Sequence, residues 1–171
     1  MSLVLADSWQ IDSTSSRLGF TATLEGAAFE GVFTVFDGTI RFDPTSPGSS
    51  LFDVTVDVTS IHTGSSELDE GIALPEWFHA SRFPRLLFRS SAVVVRDPSV
   101  YEVEGVLQVK SVKKTIHLPF RWSQDGDKAR IDGEATLNRI HFDLGAGDWS
   151  DPGIVGHEVR VWAELHLVRI H

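Results

Sequence analysis

The chain has 171 residues, enough for one domain that buries roughly two-thirds or more of its unfolded surface. Its 24 acidic residues outnumber its 15 basic residues, the formal net charge is −9, and no basic stripe is present, so nucleic acid is a poor candidate partner. The sequence contains no cysteine, which excludes disulfide bonds and thiolate chemistry. We therefore expect a single domain over residues 1–171.

The segment from Met1 to Ser8 lacks the basic and long apolar regions of a secretory signal, and no stretch of the sequence is typical of a membrane span. The simplest prediction is a cytoplasmic protein. If Met1-Ser2-Leu3 stands where a signal peptide has been removed, a periplasmic location is expected instead.

Apolar and polar residues alternate along most of the chain, which is the pattern of strands with one buried face. The clearest strand runs from Phe52 to Thr59. Between Phe29 and Phe42 the apolar parity shifts, which predicts a β-bulge or a bend near Asp37-Gly38. The other apolar stripes, in chain order, are Leu18, Phe20, Ala22 and Leu24; Tyr101, Val103, Leu107 and Val109; Ile116, Leu118, Phe120 and Trp122; Ala129, Ile131, Ala135 and Leu137; and Val159, Val161, Ala163, Leu165 and Leu167.

The alternation stops between His62 and Pro84. Ser65 and the acidic residues that follow it are typical of a helix N-terminus, so we expect a short helical insert at about residues 65–82.

Turn signals separate the strands at Asp43–Gly48, Asp97–Ser99 and Asp125–Asp127, and such short turns predict antiparallel hairpins. About eight antiparallel strands without an internal repeat fit a closed barrel best, with a sandwich as the alternative. The predicted fold is therefore all-β: an antiparallel β-barrel of about eight strands with a short helical insert. An interior of this size is either filled by side chains or encloses one small ligand, and the 11 Phe and 5 Trp residues are compatible with both.

Several short segments, in a fixed order, carry a family resemblance over nearly the whole chain. The most specific is Leu74–Pro84, which contains a double aromatic and a Phe-Pro pair, followed by the Phe-x-Ser strand Leu87–Ser90. The others are Trp9–Asp12, Leu18–Phe20, Gly31–Phe33, Phe36–Ile40, Val58–Gly64, Val103–Leu107, Asn138–Phe142 and Gly156–Val159. Together they resemble the YceI-like family of polyisoprenoid-binding proteins.

The resemblance implies a lipocalin-like barrel whose tunnel holds a polyisoprenoid, a quinone, a prenyl phosphate or a fatty-acyl lipid. It further implies roles in lipid transport and stress response, with a homodimer as one form of assembly. The sequence departs from the family pattern where Ser15-Ser16 replaces one expected histidine, near Glu25 where a second is missing, and at Ser111, which replaces a glycine. These departures indicate that this protein recognises the head group of its ligand differently from other members of the family.

The inward stripes and the aromatic insert predict the tunnel lining. Arg suits a phosphate or quinone head group because its donors form a fork. The predicted head-group residues are Arg139, Arg82 and Arg89, with Arg17 as a further candidate. The predicted lining residues are Phe20, Phe33, Phe36, Phe42, Val54, Val56, Trp77, Phe78, Phe83, Phe88, Leu107, Leu118 and Phe120.

The sequence thus favours binding, sequestration or transport of an apolar lipid, without catalysis. Two alternatives stay open: an enzyme that uses His79 or His141 as acid or base on a small apolar substrate at the barrel mouth, and a filled barrel that serves as a stress or interaction protein. The seven histidines lack metal-binding spacing, and Asp143–Asp151 lacks the register of a calcium loop. No metal, and no cofactor other than a bound lipid, is expected.

Overall fold

The computed structural model describes residues 7–171, and the strands in this part of the chain form one sheet that closes on itself. One α-helix, α1 (Ser66–Ile72), interrupts them. The strands are β1 (Ser8–Ile11), β2 (Arg17–Leu24), β3 (Ala27–Phe33), β4 (Phe36–Arg41), β5 (Leu51–Asp57), β6 (Ile61–His62), β7 (Arg85–Asp97), β8 (Val100–Val109), β9 (Val112–Asp125), β10 (Lys128–Asn138) and β11 (Glu158–Ile170).

The eleven strands of the described chain form eight long strands, because three of the long strands are each interrupted once and so consist of two shorter ones. β1 and β2 pair with the two ends of β11 and form one strand interrupted at residues 12–16. β3 and β4 are separated only by residues 34–35, and β5 and β6 by residues 58–60. Each long strand pairs antiparallel with the next in sequence, and β11 pairs with β1. This closed up-and-down barrel confirms the predicted fold class.

The shift in apolar parity lies slightly earlier than predicted. Phe33 and Phe36 are both buried, whereas Thr34 and Val35 between them are exposed, and Asp37-Gly38 lies inside the regular strand β4. The Val35 N–H donates to Ser60 Oγ at 3.0 Å, and this bond bridges the interruptions of two neighbouring long strands.

The helical insert begins where the sequence predicts it, but only its first part is an α-helix. Ser65 caps α1, since its Oγ accepts a hydrogen bond from the Leu68 N–H at 3.2 Å. After Ile72 the chain continues in turns as far as β7. In residues 7–171 no helix has both the length and the apolar character needed to cross a membrane.

One end of the barrel is closed by packed aromatic rings, which we call the aromatic plug. Phe42 is at its centre, with its ring centroid 4.6 Å from Trp122 and 4.9 Å from Tyr101. Trp9 donates its indole N–H to the Phe42 carbonyl at 3.2 Å, which satisfies a buried polar group. The plug consists of Trp9, Phe42, Phe52, Tyr101, Phe120 and Trp122. It is adjacent to the turns that precede β5, β8 and β10.

Candidate functional site: an apolar cavity with an acidic mouth

The other half of the barrel interior is not filled. It contains a cavity of about 910 Å³, near the upper end of the range of about 300–1,000 Å³ found for small-molecule sites. The cavity begins at Phe52 and Phe120 on the inner side of the aromatic plug and extends to α1 at the opposite end. It is lined almost entirely by apolar side chains, because every second residue of the surrounding strands faces inward.

Eleven of the thirteen predicted lining residues border this cavity: Phe20, Phe33, Phe36, Val54, Val56, Trp77, Phe78, Phe88, Leu107, Leu118 and Phe120. The other two lie elsewhere. Phe42 is fully buried in the aromatic plug, and Phe83 packs beside His79, with 5.8 Å between the ring centroids.

Two segments cover the end of the cavity opposite the plug: the insert (residues 63–84) and the β10–β11 loop (residues 139–157). They are joined at Glu76, whose carbonyl accepts hydrogen bonds from the N–H groups of Gly145 at 2.7 Å and Ala146 at 3.0 Å. The Trp77 and Trp149 rings also meet, with centroids 6.0 Å apart.

Several residues of these two segments both border the cavity and are exposed to solvent, and we call the region that they form the mouth. On the insert they are Leu74 and three acidic residues, Glu67, Glu70 and Glu76, which we call the mouth carboxylates; on the β10–β11 loop, Trp149 is in the same position.

Arg139 borders the cavity but is only 2 % exposed. Its Cζ lies 5.1 Å from the centroid of the Trp77 ring. Burial lowers the pKa of the Arg139 guanidinium, which nevertheless stays charged at neutral pH. The five N–H donors of the guanidinium are engaged by backbone carbonyls at 2.6–3.5 Å: those of Leu144, Gly145, Trp149, Val155 and Gly156.

Gly145 is required for this arrangement. Its φ of +90° is one that side-chain-bearing residues rarely adopt, and a Cβ at this position would collide with Nη1 of Arg139. Arg139 and Gly145 therefore fix the path of the β10–β11 loop over the cavity.

The other predicted polar residues do not border the cavity. Arg82 is exposed, with its Cζ 5.2 Å from the centroid of the Phe83 ring. Arg89 is exposed on β7, and Arg17 lies over the Trp162 ring on β11. His141 is exposed on a 3-10 turn, and His79 contacts Phe83. Within residues 7–171, no group of three or more His, Asp or Glu side chains is arranged to hold a metal ion.

The positions without the expected family histidines are also outside the cavity lining. Ser16 is buried in the segment between β1 and β2, and its Oγ accepts a hydrogen bond from the His166 N–H at 2.8 Å. This bond attaches the segment to β11. Glu25 is exposed at the turn between β2 and β3.

Sequence reasoning missed two groups of lining residues. Leu144, Trp149 and Val155 border the cavity from the β10–β11 loop, where alternation gives no guidance. The mouth carboxylates were missed because exposed acidic residues are ordinary in a helical insert: Glu67 is in the first turn of α1, Glu70 is near its end and Glu76 follows it. A tryptophan in a glycine-rich loop was the one available signal.

An antiparallel eight-stranded barrel with an apolar internal cavity is a lipocalin-like binding barrel. The family model for the YceI-like domain matches residues 9–167. The chain belongs to this family.

Several known proteins are similar to this chain in sequence or in structure. A UPF0312 protein of Pectobacterium atrosepticum is 28 % identical over 145 residues, which cover 81 % of this chain and 73 % of that protein. The crystal structure of Burkholderia cenocepacia BcnA superposes with a TM-score of 0.89 and 29 % identity over 91 % of this chain and 98 % of BcnA. A polyisoprenoid binding domain from Saccharophagus degradans, implicated in plant cell wall breakdown, has the same fold: its TM-score is 0.77 at 14 % identity, over 98 % of this chain and 100 % of that domain.

Proposed function

We propose that this protein binds a long apolar chain, such as an isoprenoid, inside the barrel and sequesters or transports it. The observation that carries the proposal is the cavity of about 910 Å³ with its apolar lining. Each CH₂ group removed from water contributes about 0.8 kcal/mol before the costs of association are subtracted, so burial alone provides affinity for such a chain.

The comparisons support this class of ligand. The Saccharophagus domain is described as polyisoprenoid binding, and it shares the barrel. A polyisoprenoid, a quinone and a fatty-acyl lipid all present the long apolar tail that this lining suits.

Binding fits the site better than either alternative. His79 and His141, the acid or base candidates of the enzyme hypothesis, do not border the cavity. The filled-barrel hypothesis requires a packed interior, whereas the interior beyond the aromatic plug encloses a cavity of about 910 Å³. The cytoplasmic location and the homodimer stay predictions.

Two adjacent residues of β8 provide a matched test. Leu107 borders the cavity, and Val106 is exposed on the outer face. Leu107→Trp places a large ring in the space a ligand needs, so we expect at least about a tenfold loss of affinity for farnesol, measured by displacement of a fluorescent apolar probe. Val106→Trp adds the same ring outside and should bind as the wild type does.

Mass spectrometry of lipid extracted from the purified proteins gives a second readout. We expect an apolar lipid with the wild type and with Val106→Trp, and much less of it with Leu107→Trp. A wild-type protein that carries no lipid and does not bind farnesol would refute the proposed function.

A further inference from the structure

The charged side chains that border the cavity within residues 7–171 are one arginine and three glutamates: Arg139, Glu67, Glu70 and Glu76. The arginine is not available to a ligand, because its five donors are taken by backbone carbonyls. A phosphate or carboxylate entering the cavity would therefore meet no cationic side chain with a free donor among these lining residues.

The mouth carboxylates, unlike Arg139, have side chains that are free to interact with a ligand. Within residues 7–171, none of the three is in an ion pair or a side-chain hydrogen bond. Glu67 and Glu70 are three residues apart and so lie on neighbouring positions of one face of α1. Glu76 lies further along the insert, where its backbone is held by the bonds from Gly145 and Ala146. All three are exposed and border the cavity, so they lie where a ligand's head would emerge.

Basic groups near these segments offset this charge only in part. The insert and the β10–β11 loop together contain seven acidic residues and two arginines, Arg82 and Arg139. Arg82 lies over Phe83, away from the cavity lining. Lys110, on the turn between β8 and β9, donates to the Asp143 carbonyl at 2.5 Å and lies 3.9 Å from the Asp143 carboxylate. The two segments that cover the cavity, the insert and the β10–β11 loop, are therefore strongly acidic.

We propose that the mouth selects ligands by the charge of the head group: it admits a long apolar chain that ends in an amine or an uncharged polar group, and it disfavours one that ends in a phosphate or carboxylate. This inference rests on the proposed function, since the apolar tail supplies the affinity. An anionic head at the mouth is repelled by three carboxylates, and drawing it inside would bury a charge without a partner.

The test uses three probes with the same fifteen-carbon tail: farnesylamine, farnesol and farnesyl phosphate. At an ionic strength of about 0.01 M, where charges act over about 30 Å, we expect the amine to bind about tenfold or more tightly than the phosphate, with farnesol in between. At about 1 M salt the ratio should fall to within about threefold, because screening limits the interaction to about 3 Å.

The variant Glu67→Gln/Glu70→Gln/Glu76→Gln removes the mouth carboxylates and should bring the three affinities together at low salt. Its matched control is Glu30→Gln/Glu104→Gln/Glu164→Gln, which makes the same change in net charge at residues that do not border the cavity and should keep the wild-type ranking.

Two results would overturn the inference while leaving lipid binding intact: farnesyl phosphate binding as tightly as farnesylamine to the wild type, or an unchanged ranking in the mouth variant. If none of the three probes binds the wild-type protein, the proposed function fails and the charge selection fails with it.

Discussion

Arg139 uses its charge to hold backbone in place. A buried guanidinium is costly unless its donors are satisfied, and here one side chain satisfies five carbonyls of the β10–β11 loop. The sequence identified Arg139 as important because of the family segment around it. The role predicted from chemistry alone, recognition of the ligand's head, does not fit its contacts.

Replacing Arg139 by lysine tests this structural role. Lysine keeps the charge but has three donors at a single point, so it leaves carbonyls unsatisfied and loses the planar contact with Trp77. We expect Arg139→Lys to lower the free energy of unfolding by about 2–4 kcal/mol, measured by urea denaturation.

The control for this prediction is Arg89→Lys, at an exposed position on β7, which should change stability by less than about 0.5 kcal/mol. Equal stabilities of the two variants would show that the carbonyl contacts of Arg139 contribute little.

At the scale of elements, a glycine opposite an aromatic ring recurs on the inner face of the barrel. Phe20 on β2 pairs with Gly31 on β3, and the ring of Phe88 on β7 lies against Gly105 on β8. Both rings border the cavity, so the glycines determine how far the rings project into it. This is the close approach that glycine permits and any other residue prevents.

Gly105→Ala is expected to change both stability and binding. Its Cβ would lie 2.6 Å from Cζ of Phe88 and 2.7 Å from the Arg89 carbonyl, so the ring and the strand must shift. We expect a loss of about 1–3 kcal/mol in urea denaturation and weaker binding of farnesol.

Gly48→Ala, at a position with no atom within 4 Å of the added Cβ, is the control and should be neutral on both counts. A Gly105→Ala protein that matched this control would refute the proposed ring–glycine packing.

The strands could be predicted because each has one face toward the interior. The resulting alternation of apolar and polar residues is the same whether the interior is packed or encloses a cavity. The interruptions at residues 12–16, 34–35 and 58–60 were harder to predict. They depend on how the eight strands align as the barrel closes, and alternation within one strand does not contain that information. The path of the β10–β11 loop depends on its hydrogen bonds to the Arg139 side chain, to Glu76 of the insert and to β2, and alternation does not indicate any of these.

At the scale of the whole molecule, the barrel divides its aromatic residues between two tasks. Those of the plug form one close cluster at one end of the barrel. Those beyond it, such as Phe20, Phe33 and Phe78, contact one another and also line the cavity. Most of the residues predicted to line a tunnel border the cavity. The sequence could not separate plug from cavity, because Phe42 and Phe36 occupy similar positions in the same apolar stripe.

Phe42→Ala tests this division. Removing a fully buried ring from the plug should lower the free energy of unfolding by about 3–5 kcal/mol, because a void is left in close packing. Affinity for farnesol, measured below the unfolding transition, should stay within about twofold, since Phe42 does not border the cavity. A large loss of affinity with little loss of stability would mean that the plug belongs to the binding site.

The pairing of β1 with both β4 and β11 has a consequence for how copies of this protein meet. An open sheet ends in strands whose N–H and C=O groups are free to pair with another sheet. At β1 those groups are already used within the ring, because β1 bonds to a neighbour on each side. A second copy that approached at β1 could not extend the sheet there, so it would have to be contacted by side chains.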